Sequence, residues 1–169
     1  MLKGLMMQMP LTISSLIVHA DRHHGDAEVV SRRVEGDIHR TTYREIHRRS
    51  RQLANALAGS GIRMGDRVAT IAWNGYRHME LYFGVSGSGA VLHTVNPRLF
   101  PEQISYIVNH AAGETLCFDL DFADLVLKLA PGLPHIKRYV ALCHSEQLQA
   151  QLPALDLPGL CAYEDLMAQ

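Results

Sequence analysis

Three groups of side chains have types and spacings that could do chemistry. Asp119 and Asp121 follow a short apolar run with one residue between them, so on an extended chain both carboxylates face the same way. Such a pair could hold Mg2+ or work as acid and base, although two aspartates after a strand also serve simply as turn-formers. His19 and His23 stand four apart on a helical pattern with His24 adjacent, the spacing of two metal ligands on one face. A zinc site needs a third or fourth ligand, and no acid or cysteine stands at a suggestive distance, so solvated helix histidines are the simpler reading. His93 lies in a strand pattern just before Asn96. It is either a general base or a strand histidine satisfied by a backbone group.

Two further patterns invite a functional reading and resist it. Gly84-Val85-Ser86-Gly87-Ser88-Gly89 ends a helix and precedes a strand, whereas a phosphate-cradling loop needs strand first and helix second so that amides and the helix N-terminus face the phosphate. Close helix packing and a helix C-cap explain those glycines better. Arg44, Arg48, Arg49 and Arg51 lie mostly off the apolar face of their helix and lack interleaved aromatics, which suits a solvated surface rather than nucleic-acid binding. No G-x-x-x-x-G-K-[ST] loop occurs, and no Ser-His-Asp set or nucleophile elbow can be assembled.

The elements that must position these residues alternate in type. A helix runs from Leu11 through Ala20 and on past Arg22, and a hairpin follows from Ala27–Ser31 and Ile38–Thr42 around Glu35-Gly36-Asp37. Tyr43, Ile46, Ser50, Leu53 and Leu57 then recur on one helical face, with Thr41 or Thr42 as cap and Gly59 or Gly61 as stop. Arg67–Trp73 is an interior strand, since its centre is too uniformly apolar to face water on one side. A well-buried helix spans Tyr76–Ser86. Ala90–Val95 is a buried strand; Asn96-Pro97 breaks it, and Pro101 opens a helix striped by Ile104, Ile107, Val108 and Ala111 and stopped at Gly113. Thr115–Phe118 and Arg138–Leu142 are strands with a helix from Phe122 to Leu129 between them. Ser145 to Pro158 reads as a linker, and Tyr163–Met167 as a closing helical turn. This order gives an α/β fold: alternating strands and helices form a largely parallel sheet with helices on both faces, preceded by an N-terminal helix and hairpin.

Composition bounds the rest. The 169 residues are 47% hydrophobic with a formal charge of -1, enough to build a core and without a global attraction to nucleic acid or anionic lipid. Cys117, Cys143 and Cys161 are odd in number and widely spaced, which suits a reduced, cytoplasmic setting. Leu11 to Ala20 is too short and too polar to span a bilayer, and although Lys3 and the Met-rich start imitate a signal peptide, Ala20-Asp21-Arg22 reads as a continuing amphipathic helix rather than a cleavage site.

Several segments together resemble a known family. These are Leu5-Met6-Met7 with Leu11-Thr12-Ile13-Ser14-Ser15-Leu16, then Arg40-Thr41-Thr42-Tyr43-Arg44-Glu45-Ile46, Gly65-Asp66-Arg67-Val68-Ala69-Thr70, Trp73-Asn74, and above all His93-Thr94-Val95-Asn96-Pro97-Arg98-Leu99-Phe100-Pro101-Glu102-Gln103-Ile104. The whole chain resembles the N-terminal part of AMP-forming acyl-CoA synthetases, in particular the medium- and long-chain fatty-acid and methylmercaptopropionate CoA ligases of the adenylate-forming superfamily. The resemblance implies that residues 1–169 are the N-terminal portion of an AMP-binding domain, with the catalytic motifs and C-terminal domain lying downstream. It implies ATP, Mg2+ and CoA as cofactors of the whole enzyme, a fatty or other small carboxylic acid as substrate, and a possible homodimer through the N-terminal segment. No catalytic, cofactor-binding or metal residue is assigned within this chain, which is expected to be inactive alone. Asn96 and Arg98 are read as shaping and anchoring their loop. The alternatives are a non-catalytic interaction module that pairs with full-length ligase subunits, and a small nucleotide-binding α/β domain.

Overall fold

The computed structural model describes residues 4–5, 7–151 and 155–168. Helix α1, Ile13–His24, buries Ile17 and leads into a hairpin of β1, Glu28–Arg32, and β2, Ile38–Thr42, paired antiparallel with Val30 opposite Arg40. Helix α2, Tyr43–Gly59, starts where the Thr42 hydroxyl accepts the Glu45 N–H at 3.3 Å, which satisfies one of the amides left over at any helix start. Three strand-helix units follow: β3 Arg67–Ile71 with α3 Tyr76–Gly87, β4 Val91–Thr94 with α4 Pro101–Ala111, and β5 Thr115–Phe118 with α5 Ala123–Leu129. The chain then runs through β6 Arg138–Ala141, α6 Ser145–Gln151, β7 Cys161–Ala162 and α7 Tyr163–Met167.

Strands β3 to β7 form one parallel sheet in the order β4-β3-β5-β6-β7. Each face carries its own core. Leu53, Leu57, Leu81, Val85 and Leu166 pack α2, α3 and α7 on one side; Ile104, Val108, Val126, Leu129 and Leu148 pack α4, α5 and α6 on the other. Each such side chain, fully removed from water, contributes about 1.5–3 kcal/mol. The α/β reading, the parallel sheet and the helices on both faces stand as expected, and β3 is interior.

Three local expectations change, and one element is new. Strand β4 is the edge of the sheet among the described residues, with Val91 and Thr94 exposed and burial confined to the flanking Ala90 and Val95. The α4 stop is Ala112, which takes the left-handed conformation at φ 50°, while Gly113 is demanded by packing because a Cβ there would stand 2.7 Å from the Arg67 carbonyl oxygen. The expected linker after Cys143 holds the helix α6 and three buried leucines, Leu148, Leu155 and Leu157. Residues 152–154 of that stretch lie outside the described residues. The two-residue strand β7 had no sequence signal, since its pairing with Val140 and Ala141 exists only once β6 is in place.

Candidate functional site

From β3 the chain passes through α3 to β4 on one side, then returns through α4 to β5 on the other side of β3. Strands β3 and β5 are therefore neighbours whose following helices leave on opposite faces, and the crevice beyond their carboxyl ends is where open α/β sheets place ligands. Trp73 lies just past β3, and Asp119, Asp121 and Phe122 lie just past β5.

These residues meet. The Trp73 backbone N–H donates to Asp119 Oδ2 at 2.7 Å, its indole Nε1–H donates to Asp121 Oδ2 at 3.0 Å, and its ring rests against Phe122 with centroids 4.9 Å apart. Beneath it, burial lowers the pKa of His78 and favours the neutral ring. In that form Nδ1–H donates to the Trp73 carbonyl at 3.1 Å and Nε2 accepts the Thr70 hydroxyl at 3.0 Å. Burial also pushes the Asp119 carboxyl up to about 6, against the pull of the Trp73 amide. A carboxyl titrating near neutrality in a crevice is a candidate for proton exchange. Here, however, one oxygen of each aspartate is committed to Trp73, so the pair works as a clamp on the indole.

Below the clamp a cavity of about 30 Å3 is lined by Arg33, Glu35, Tyr76, Arg77, His78 and Asp119. Arg77 is its structural centre: Nε donates to Glu164 Oε1 at 2.9 Å, and Nη1 donates to Glu35 Oε1 at 3.0 Å and to the Leu142 carbonyl at 2.9 Å. Glu164 also accepts from Arg49 Nη2 at 2.9 Å, and Arg49 Nε reaches Glu80 Oε1 at 2.7 Å. Tyr163 donates to the other Glu80 oxygen at 2.7 Å. This network ties the hairpin, α2, α3 and α7 together.

The network was missed in the sequence, and Arg49 corrects the reading of a solvated basic face: its side chain is only 18% exposed. A signal existed in Arg77 and Glu80, two charges in the first turns of a helix otherwise read as well buried. Of the other candidates, His93 lies half-buried at the sheet edge, lowered by desolvation, and its shielded Nδ1 finds neither a backbone acceptor nor a reacting partner among the described residues. His19, His23 and His24 remain exposed on α1, far in sequence from the crevice. Asn96 shapes its loop as expected, accepting the Arg98 N–H on Oδ1 at 3.0 Å. Gly84 permits the close approach of α3 to α2, where a Cβ would stand 2.8 Å from the Ser50 carbonyl oxygen.

Residues 17–157 match the family described as AMP-binding enzyme. The chain belongs to that family. It is 44% identical over 166 residues to a medium-chain-fatty-acid–CoA ligase of Ectopseudomonas oleovorans, covering 98% of this chain and 30% of that protein. It is 43% identical over 164 residues to a 3-methylmercaptopropionyl-CoA ligase of Ruegeria lacuscaerulensis, covering 97% of this chain and 30% of that protein. The fold matches the crystal structure of the anthranilate CoA ligase AuaEII in complex with anthranoyl-AMP, with a TM-score of 0.75 at 19% identity over 95% of this chain and 29% of that one. This AMP-binding enzyme chain thus spans about three-tenths of the length of the curated relatives it matches.

Among the described residues no group of three or more His, Cys, Asp or Glu side chains converges on one position, and one oxygen each of Asp119 and Asp121 accepts from Trp73. Trp73 and Phe122 form the aromatic wall of the crevice.

Proposed function

We propose that this chain is the N-terminal portion of an AMP-forming acid–CoA ligase. In that reaction a carboxylate oxygen attacks the α-phosphorus of ATP and expels pyrophosphate, and the CoA thiol then displaces AMP to give the thioester. The observation that carries the reading is the 44% identity to the fatty-acid ligase, which runs through 98% of the chain and includes the loop after β4. A fatty or methylthio-substituted acid is the substrate class in this reading. ATP, Mg2+ and CoA would be held by residues beyond this chain. The three free cysteines, two of them buried, suit a reducing cytoplasm. A homodimer would use the apolar residues left exposed at the start of the chain, among them Leu5, Met7, Leu11 and Leu16.

The test replaces the matching segment of the Ectopseudomonas ligase with this chain and measures pyrophosphate release with ATP, Mg2+ and a medium-chain acid. The hybrid is expected to be active and the isolated chain silent. A well-folded hybrid without acid-dependent pyrophosphate release, or release by the chain alone, overturns the proposal.

A further inference from the structure

Helix α1 carries a feature unrelated to the crevice. His19 and His23 are exposed, one helical turn apart, with ring centroids 4.5 Å apart and planes tilted by 43°. His24 adds a third imidazole, its centroid 6.1 Å from His19. The helix that presents them is fixed from behind: Ile17 is buried against the α2–α3 side, and Asp21 bonds His47 Nδ1 of α2 at 2.7 Å. Asp21 is thus engaged elsewhere, and the two rings keep their spacing without it.

We propose that His19 and His23 form a two-imidazole chelate for a borderline divalent transition metal of the Ni2+, Cu2+ or Zn2+ kind. Imidazole nitrogen is the ligand type those ions select over carboxylate and carbonyl oxygen, which suit Mg2+ and Ca2+ instead. Two side chains at i and i+4 lie on one helix face, the spacing that puts the paired histidines of helical metal sites on one ion. Among the described residues no convergent set of three or more ligands exists, so solvent completes the coordination and the ion exchanges freely. This distinguishes the pair from a structural zinc site, which is closed by four protein ligands. The chelate is independent of the ligase reading, since it uses none of the crevice residues.

The test is calorimetric titration of the chain with NiCl2, with unfolding temperature read in parallel. Saturable binding of one Ni2+ per chain and a rise in unfolding temperature are expected. His19→Ala and His23→Ala should each weaken binding at least tenfold, while His135→Ala, an isolated exposed histidine, should leave it unchanged. Because all three positions are exposed, far-ultraviolet circular dichroism should show the same helix content in every variant. Unchanged affinity in the His19→Ala/His23→Ala double variant, or no saturable binding by the parent chain, overturns the proposal.

Discussion

Arg49 of α2 and Glu80 of α3 meet at 2.7 Å with the Glu80 side chain wholly shielded from water. Their electrostatics differ in kind. Burial raises the Glu80 pKa, and Arg49 and Tyr163 pull it back without overcoming that cost. Burial also opposes the charge on Arg49, but Glu80 and Glu164 together outweigh it and raise its pKa. The guanidinium has two carboxylates to serve it, whereas Glu80 has a single cation.

The pair is therefore costly to break from one side. Arg49→Ala leaves a shielded carboxylate uncompensated and should destabilise the fold by about 3–5 kcal/mol. Replacing both partners, as Arg49→Leu with Glu80→Leu, should cost less than the two single changes added together. Urea unfolding of the four proteins in the cycle gives the coupling, and strict additivity would show that the pair carries no interaction of its own.

The Asp119 carboxyl gives a pH dependence of definite sign. Its folded pKa of about 6 lies above the ordinary 3.8, so the folded state holds the proton more tightly than the unfolded chain. Its contribution to stability is then greatest below pH 4 and is lost as pH rises through 6. Asp119→Asn keeps an acceptor for the Trp73 N–H without the charge. It should flatten stability between pH 4 and 6 and raise it at pH 7 by about 2–3 kcal/mol, at 1.36 kcal/mol per unit. Unfolding midpoints collected across that range decide it; an unchanged slope rejects the assignment.

Trp73 is the one tryptophan of the chain, so its fluorescence reports the clamp directly. Asp121→Ala frees the indole N–H at an exposed position and should cost no more than about 1 kcal/mol. The emission should nevertheless shift as the ring loses its acceptor and gains water. An emission spectrum identical to that of the parent would mean that Asp121 does not hold the ring.

Two glycines separate packing from propensity. A Cβ on Gly84 would stand 2.8 Å from both the Ser50 carbonyl oxygen and Leu53 Cδ2, so Gly84→Ala should cost about 1–3 kcal/mol through overpacking of α2 on α3. At Gly59 nothing lies within 4 Å, and Gly59→Ala should be neutral or stabilising by up to about 1 kcal/mol. Thermal unfolding should rank the parent between them or level with the second. The reverse order would contradict the close approach of the two helices.

Periodicity and punctuation alone determined much of this protein. The apolar centre of Arg67–Trp73, the stripe of Ile104, Ile107 and Val108, and the prolines at 97 and 101 specify their elements because hydrophobic spacing and fixed proline φ act within a few residues. The run from His93 to Ile104 marked the family for the same reason: it is local. Tertiary structure decided what depends on distant partners. Ala112 rather than Gly113 turns left-handed, and Gly113 is needed instead because the Arg67 carbonyl, 46 positions earlier in the chain, leaves no room for a Cβ. Arg49 is paired rather than solvated because α3 and α7 bring Glu80 and Glu164 to it. Asp119 and Asp121 hold an indole because β3 and β5, separated in sequence by a whole strand-helix unit, lie side by side in the sheet. A carboxylate's role is set by which donor the fold brings within 3 Å, and that separation is invisible along the chain.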